Sequence, residues 1–246
     1  MSTAIHPDAL IVKLAESRGH VDHGWLRAAH SFSFADYHDP QNIHFSQLRV
    51  INEDHIAPGG GFPTHPHRNF EIFTYPLSGS IAHKDSLGSE GTVKAGEIQY
   101  MSAGRGVHHS EFNPSSSEET HLLQIWLIPN KTGTEPRYEA REIASKLQNG
   151  TPHLFLSPDG REGSIAMQSD TFVYALRLQD EKTTTMQVAD DQIAYIQIAK
   201  GAASINGITL KQGDALQALA SGELSFSNGE EAELIVFMLP AEPEQH

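Results

Sequence analysis

The 246-residue sequence predicts an all-β protein made of two tandem β-barrels with little helix. Short runs rich in Val, Ile, Phe, Tyr and Thr recur along the chain, and turns containing many of its 20 glycines and 13 prolines separate them. β-Branched and aromatic residues favour strands, whereas Gly and Pro favour turns. The two halves also share a weak repeat of about a hundred residues, which indicates a duplicated barrel because solenoid periods are shorter.

The strands of the first half are predicted from apolar runs that end at turn-forming residues. They are expected at residues 47–52, 71–75, 80–83, 97–101 and 121–128. The polar, turn-rich segment 129–136 follows, and its composition indicates a linker. The sequence therefore predicts an N-terminal domain at residues 1–135 and a C-terminal domain at residues 136–246.

The second half begins with a short helix predicted at residues 139–147, which Gly150 would follow as a left-handed cap. Strands resume at residues 172–178, 184–188, 195–198, 215–219, 223–226 and 233–239. The repeat aligns Gly79 with Gly201 and Gly96 with Gly213. Each half also ends in an apolar strand, which supports the prediction of two similar barrels.

Composition restricts the possible partners and compartment. The formal net charge of -14 at pH 7 repels phosphate backbones, so we expect no direct binding of nucleic acid. The chain has no cysteine, which excludes disulfides and thiolate metal sites and suits a reducing compartment. No apolar stretch approaches membrane-spanning length, and the N-terminus lacks the apolar core of a signal peptide. We expect a soluble, cytoplasmic protein without a membrane partner.

Four candidate metal ligands form two pairs with strand spacing. His65 and His67 are one pair, and His109 and Glu111 are the other. Side chains at positions i and i+2 of a strand leave the same face, so both pairs could converge on one ion. Three imidazoles and a carboxylate suit a divalent transition metal and leave a coordination position open for catalysis. His108 lies between two inward positions, and its side chain is expected on the opposite face.

Two longer motifs enclose these residues and resemble the paired motifs of the cupins. The first motif reads Gly59-x5-His65-x-His67-x3-Glu71-x7-Gly79, and the second reads Gly96-x7-Gly104-x-Gly106-x2-His109-x3-Asn113. The resemblance implies a double-stranded β-helix, or jelly-roll, barrel in each half. Counted from the shared glycines, the four ligand positions fall in the second half on Gln187, Ala189, Phe226 and Asn228. We therefore expect the second barrel to bind no metal in this way.

More narrowly, the chain resembles the pirin family, and especially its bacterial members with quercetin 2,3-dioxygenase activity. The segments that carry the resemblance are Gly24-Trp25, His30-Ser31-Phe32-Ser33-Phe34, His65-Pro66-His67-Arg68, Met101-Ser102-Ala103-Gly104-Arg105-Gly106 and His109-Ser110-Glu111. The resemblance implies a metal-dependent dioxygenase that cleaves quercetin or a related flavonol with O2 and releases CO. It also admits an alternative, a metal-binding regulatory module or redox sensor that contacts another protein.

The family resemblance also assigns residue roles. Pirins take their acidic ligand from the second motif, so Glu111 is expected to bind the metal and act as general base. Generic cupins take the acidic ligand from the first motif, which would be Glu71, and strand parity does not decide between the two residues. Following the pirin resemblance, we expect Glu71 to lie behind the ligands. The metal is expected to be divalent, with Fe(II) preferred over Mn, Co, Ni, Cu or Zn.

The substrate pocket is expected to be flat and partly apolar. Phe62, Phe70 and Met101 are candidate wall residues, and strand parity places Phe73 inside with the ligands. Arg105, which stands between two glycines beside the ligand strand, is a candidate for steering an anionic substrate. An arginine in such a loop more often satisfies carbonyls or a carboxylate.

Overall fold

Strands make up nearly all the regular structure, as the sequence predicts. The computed structural model describes residues 3–241. In that range the helical segments are four short 3-10 turns, at Pro7–Ala9, Ala15–Ser17, Ala144–Lys146 and Arg161–Gly163. None of the described helical segments has the length and apolarity needed to cross a membrane.

Twenty strands are found in the described residues. The first ten are β1 (Leu10–Lys13), β2 (Gly19–Asp22), β3 (Leu26–His30), β4 (Leu48–Ile56), β5 (Gly61–His67), β6 (Glu71–Ser78), β7 (Ser80–Asp85), β8 (Glu90–Lys94), β9 (Glu97–Ser102) and β10 (Val107–Phe112). The others are β11 (Thr120–Leu127), β12 (Arg137–Glu142), β13 (His153–Ser157), β14 (Ile165–Ala166), β15 (Phe172–Asp180), β16 (Thr184–Val188), β17 (Gln192–Ile205), β18 (Ile208–Lys211), β19 (Ala215–Ala218) and β20 (Gly222–Pro240).

The chain divides into two compact units. The first contains Arg18–Ala144 and Met167–Ser169, and therefore strands β2 to β12. The second contains the segment that ends at Ser17, Ser145–Ala166 and the residues from Asp170 onward. These limits differ from the predicted division at residue 135, because β12 pairs with β9 and β1 pairs with β19.

The first unit is a sandwich of two antiparallel sheets. Seven strands follow the order β12-β9-β6-β11-β4-β3-β2, and four follow the order β5-β10-β7-β8. Alternate residues of each strand face inward and pack between the sheets. The inner cluster takes residues from β3, β4 and β11 of the larger sheet and from β7 and β8 of the smaller one: Leu26, Ala28, Ile56, Ile81, Val93 and Leu122. This is the jelly-roll arrangement that the cupin resemblance implies.

The second unit repeats the design with fewer, longer strands. β17 occupies the place of β6 and β7, and β20 that of β10 and β11. The aligned glycines adopt matching backbone angles, with φ of 69° at Gly79 and 66° at Gly201, and of 89° at Gly96 and 87° at Gly213. Positive φ is unfavourable for residues with a Cβ, which explains why glycine recurs at these turns.

An apolar core fills the second unit. Phe226, the residue aligned with His109, is fully buried in that core. Gln187 and Ala189 are the wrong equivalents of His65 and His67. The residues that pair with this part of β20 are Thr184, opposite Phe226, and Met186, opposite Leu224. Counting from the glycines failed because the segments between the repeats differ in length. None of these positions carries a histidine or a carboxylate.

The helix predicted at residues 139–147 is wrong. Arg137–Glu142 instead forms β12, which pairs with β9 from Arg137 opposite Ser102 to Glu142 opposite Glu97. Only Ala144–Lys146 is helical, as one 3-10 turn. The free edge of β9 supplies ladder hydrogen bonds over six residues, and this tertiary pairing overrides a weak local helix propensity.

Candidate active site

Three histidine side chains converge between the sheets of the first unit. His65 and His67 lie on β5, and His109 lies directly opposite His65 on β10. The Nε2 atoms of His65 and His109 are 3.0 Å apart, and one nitrogen of each of the three rings lies within 4.8 Å of the others. His108 is exposed, because its side chain leaves the other face of β10. The three rings are close enough to share one metal ion.

The rings of these histidines are arranged for metal binding. His65 Nδ1 lies 2.8 Å from the carbonyl oxygen of Pro63, and because a carbonyl only accepts, Nδ1–H donates to it and Nε2 is the nitrogen that faces His109. Burial, and to a smaller extent the charge of His65, lowers the pKa of His67 to about 4. Burial and then the neighbouring histidines lower the pKa of His109 to about 2. His67 and His109 are therefore neutral at pH 7, as metal ligation requires.

A chain of buried polar groups stands behind His109. Its Nδ1 lies 3.3 Å from Nδ1 of His83 on β7, and His83 Nε2 lies 3.3 Å from a carboxylate oxygen of Asp85. The His83 ring also stacks on Tyr138, with centroids 4.4 Å apart. With Nε2 of His109 facing His65, its Nδ1–H donates to His83, which in turn donates to Asp85. Such a chain fixes the orientation and tautomer of a ligating histidine.

Glu111 lies two residues after His109, on the same inward face of β10, and is buried. Its carboxylate accepts hydrogen bonds from the side-chain amide of Gln99, from that of Gln124 at 2.8 Å and from the hydroxyl of Thr74 at 3.4 Å. Burial raises the pKa of Glu111 to about 7, and these three hydrogen bonds limit the rise. Glu111 therefore changes protonation state near neutral pH, which suits a general base.

The structure brings the three histidines together more closely than it brings Glu111 to them. A carboxylate oxygen of Glu111 lies within 4.8 Å of ring nitrogens of His83 and His109, but the three-histidine group does not include it. All four predicted ligands line one cavity. Coordination by Glu111 as a fourth ligand stays a prediction.

The donors to Glu111 belong to one row that crosses the larger sheet. Gln124 pairs with Thr74, and Thr74 pairs with Gln99. In the other direction Gln124 pairs with Asn52, and Asn52 pairs with His30, whose Nδ1 is 2.7 Å from the Asn52 side-chain oxygen. No motif in the sequence marks these residues as one row. Inward polar residues within apolar strands were the available signal, but the register that aligns them is not visible in one sequence.

Glu71 and Phe73 do not face the histidines, so their predicted placement is wrong. The Glu71 carboxylate instead accepts hydrogen bonds from the hydroxyls of Tyr100 and Ser102 and from the backbone N–H of Gln168. Both residues lie on the face of β6 opposite Thr74. Parity counted from His67 failed because the chain turns between β5 and β6, where Asn69 has a φ of 54°.

Met101 and Arg105 lie outside the cavity. Met101 pairs with Ile72 and belongs to a buried cluster against which Trp126 packs, so it supports the cavity wall from behind. The Arg105 side chain is 63% exposed and forms an ion pair with Glu135. Arg105 therefore pairs with a carboxylate, which is the usual role of an arginine in such a loop.

The cavity beside the histidines has a volume of about 300 Å³. Its apolar walls come from Leu26, Phe34, Phe62, Ile72 and Trp126, and its further polar groups come from His30, Asn52, Asp54 and Gln124. The Trp126 ring stands edge-on to His67, with centroids 4.7 Å apart. This volume is at the lower end of the range for ligand pockets and suits a small planar ligand.

Comparison with known proteins agrees with this architecture. Residues 11–127 match the Pirin family, and residues 154–239 match the quercetinase C-terminal cupin domain. The chain belongs to the pirin family. A quercetin 2,3-dioxygenase of Escherichia coli (strain K12) is 43% identical to this pirin over 231 residues, covering 94% of this chain and 99% of the relative.

Other pirins extend the comparison. A pirin-like protein of Caulobacter vibrioides is 36% identical over 219 residues, which are 89% of this chain and 94% of the relative. Among solved structures, the E. coli bacterial pirin YhhW in complex with nickel(II) matches with a TM-score of 0.89 and 43% identity. That match covers 94% of this chain and 99% of YhhW.

Proposed function

We propose that this pirin is a metal-dependent quercetin 2,3-dioxygenase that cleaves quercetin or a related flavonol. The observation that carries the proposal is the convergence of three imidazoles on a mostly apolar cavity that also contains a base with a pKa of about 7. The E. coli relative named for this activity matches over nearly its whole length, which supports the same assignment. In the reaction O2 is incorporated into the flavonol, the central ring opens and CO leaves.

The donor set fits one divalent transition metal ion. His65, His67 and His109 would hold it, with Glu111 as the proposed fourth ligand. Imidazole nitrogens and a carboxylate match the preferences of Fe, Mn, Co, Ni, Cu and Zn, of which we propose Fe(II). When bound, the ion would supply Lewis acidity that favours the ionised form of the flavonol hydroxyl.

The residues of the chain bind the substrate and move its proton. Phe34, Phe62 and Trp126 present apolar surface to planar rings and exclude water from them. Glu111 accepts the proton of the flavonol 3-hydroxyl, and its pKa of about 7 lets it do so near neutral pH. Gln99 and Gln124 donate to the carboxylate and hold it in place for this transfer.

The test is to identify the metal by elemental analysis and to reconstitute the protein with Fe(II), Mn(II), Ni(II) or Cu(II). Each form is mixed with quercetin in air while CO is measured. We expect at least one form to release CO, His109→Ala to abolish the release and His108→Ala, on the exposed face of the same strand, to retain it. The proposal fails if no form releases CO above the level of His65→Ala.

We also propose that this activity takes place in the cytoplasm, which fractionation of cells and immunoblotting would test. The small aromatic substrate and O2 are the partners that the proposed reaction requires.

The alternative of a regulatory module that binds another protein stays a prediction. A pull-down with metal-loaded and metal-free protein tests the metal's part in it.

A further inference from the structure

Asp54 is a buried carboxyl group in an apolar row of the larger sheet. It lies on β4 with 2% of its surface exposed. Its cross-strand neighbours are Ala28 on β3 and Leu122 on β11, both members of the hydrophobic core. The adjacent inward position of β4 is Asn52, which belongs to the polar row. Asp54 therefore places a carboxyl among side chains that cannot hydrogen-bond to it.

No other group of the described residues forms a hydrogen bond or ion pair with the Asp54 side chain. Two other polar side chains that line the cavity have partners within the chain, because Asn52 bonds to His30 and Gln124 donates to Glu111. The carboxyl oxygens of Asp54 are not among the fully shielded polar atoms without a partner, so a group that enters the cavity can reach them. Asp54 lines the cavity, where a bound ligand can supply the missing hydrogen bond.

The protonation state of Asp54 suits recognition of a hydroxyl group. Burial raises its pKa to about 8, and the charges of Glu111 and Glu53 contribute to the rise. Burial favours the neutral acid, which can both donate and accept a hydrogen bond. A phenolic hydroxyl also does both, so the two groups are complementary.

The cavity has polar groups on both sheets. His65, His67 and His109 belong to the four-stranded sheet, whereas Asp54 belongs to the seven-stranded sheet. Leu26, Phe62 and Trp126 provide apolar surface in the same cavity. A planar ligand that contacts both sheets needs one polar group toward the histidines and another toward Asp54.

We propose that Asp54 binds a second hydroxyl of the aromatic substrate and makes this cavity selective for polyhydroxylated flavonols. The inference rests on the proposed function and specifies its substrate class. It makes Asp54 a specificity-determining residue that contacts substrate away from the hydroxyl bound near the histidines. Burying a carboxyl without a hydrogen-bond partner destabilises the free protein, and a hydrogen bond from the ligand offsets this loss.

The test compares two flavonols in binding, without turnover. Quercetin and 3-hydroxyflavone share the 3-hydroxyl and the adjacent carbonyl, but 3-hydroxyflavone lacks the other hydroxyls of quercetin. Binding to Ni(II)-loaded protein under argon is measured by the quenching of tryptophan fluorescence, because Trp126 lines the cavity. We expect the wild type to prefer quercetin by a factor on the order of ten, the effect of one recognised hydroxyl.

Two variants distinguish a role of Asp54 in flavonol recognition from a role in the stability of the fold. Asp54→Leu replaces the carboxyl with an apolar group of similar shape and should abolish the preference, with unchanged affinity for 3-hydroxyflavone and an unchanged or higher Tm. Asp54→Asn still donates and accepts, and should keep the preference. A preference that persists in Asp54→Leu contradicts the inference. An equal loss of affinity for both flavonols with a lower Tm also contradicts it, because that result indicates a structural role.

Asp214 provides a matched control in the second unit. It is also a buried carboxyl, but it accepts hydrogen bonds from the backbone N–H groups of Ala15 and Lys211 at 2.8 and 3.0 Å. Asp214→Asn should lower Tm and leave the flavonol preference unchanged.

If CO is released but Asp54→Leu keeps the preference, only this inference fails. If both flavonols bind and no CO is released, the proposed function fails, while the binding ratio still decides the role of Asp54.

Discussion

At the residue scale, position within a strand separates the candidate ligands from similar residues nearby. The sequence was sufficient to predict that the side chains of His65, His67 and His109 come together and that His108 points away, because alternation within one strand is a local property. It was not sufficient to find His83, which a different strand brings to His109. Contacts between strands depend on register, which the folded sheet sets.

His83 should influence metal affinity without being one of the three converging ligands. Replacing His83 with Phe removes the acceptor for His109 Nδ1–H, so we expect Ni(II) affinity to fall by roughly 10- to 100-fold. Isothermal titration calorimetry measures the change, and His108→Phe is the control on an exposed position. Equal affinities for the wild type and His83→Phe would show that the chain behind His109 does not orient it.

The amide donors to Glu111 should set the pH at which the enzyme becomes active. Hydrogen bonds from Gln124 and Gln99 lower the pKa of Glu111, so Gln124→Leu should raise it above about 7. The base acts when ionised, and the rise of kcat/KM with pH should therefore move to higher pH in this variant. A pH profile of quercetin cleavage tests this, and an unmoved profile would exclude Glu111 as the titrating base.

At the element scale, the strands were predicted well and the connections between them poorly. Most predicted strands coincide with observed ones because apolar runs bounded by turns are local signals. The inferred face of Glu71 and Phe73 was wrong because the turn at Asn69 interrupts the alternation between β5 and β6. The helix predicted after residue 138 was wrong because the edge of β9 was available for pairing.

Outward residues of the larger sheet should make its stability depend on pH. Burial alone would raise the pKa of Glu53, but the hydrogen bond from His121 and the charge of Arg18 lower it to about 2. A lowered carboxyl pKa stabilises the fold above the unfolded pKa, near 4.3, and the stabilisation is lost as pH falls toward 2.

We therefore expect Glu53→Gln to reduce the free energy of unfolding by about 2–3 kcal/mol at pH 7, an upper range for a side chain that is 10% exposed. The difference should shrink as the pH falls below 4, as measured by urea denaturation. Glu90→Gln is the control, because Glu90 and its partner Lys84 are each 71% exposed. A difference independent of pH would refute the electrostatic explanation.

At the scale of the whole molecule, the two units use one plan for different purposes. The first keeps polar groups and a cavity between its sheets, whereas the second fills the corresponding space with apolar side chains. The repeat was predictable because glycines at positive φ recur at the same turns. The alignment of the remaining positions was not, because only observed pairing identifies their partners.

The second unit should contribute stability rather than ligands. Phe226→Ala removes a fully buried ring and should cost about 3–5 kcal/mol in the free energy of unfolding. Its metal content per chain should equal that of the wild type. Chemical denaturation and elemental analysis measure the two quantities. Loss of metal from a folded Phe226→Ala protein would contradict the division of roles.

β4 belongs to two networks at once, one on each face. Asn52 and Asp54 point into the cavity, whereas Glu53 and His55 point outward. Inserting or deleting one residue in this strand would exchange the two faces, sending the cavity groups to solvent and the outer ion pairs into the core. β4 should therefore tolerate point substitutions much better than changes in length, and natural length variation in this unit should be confined to its turns.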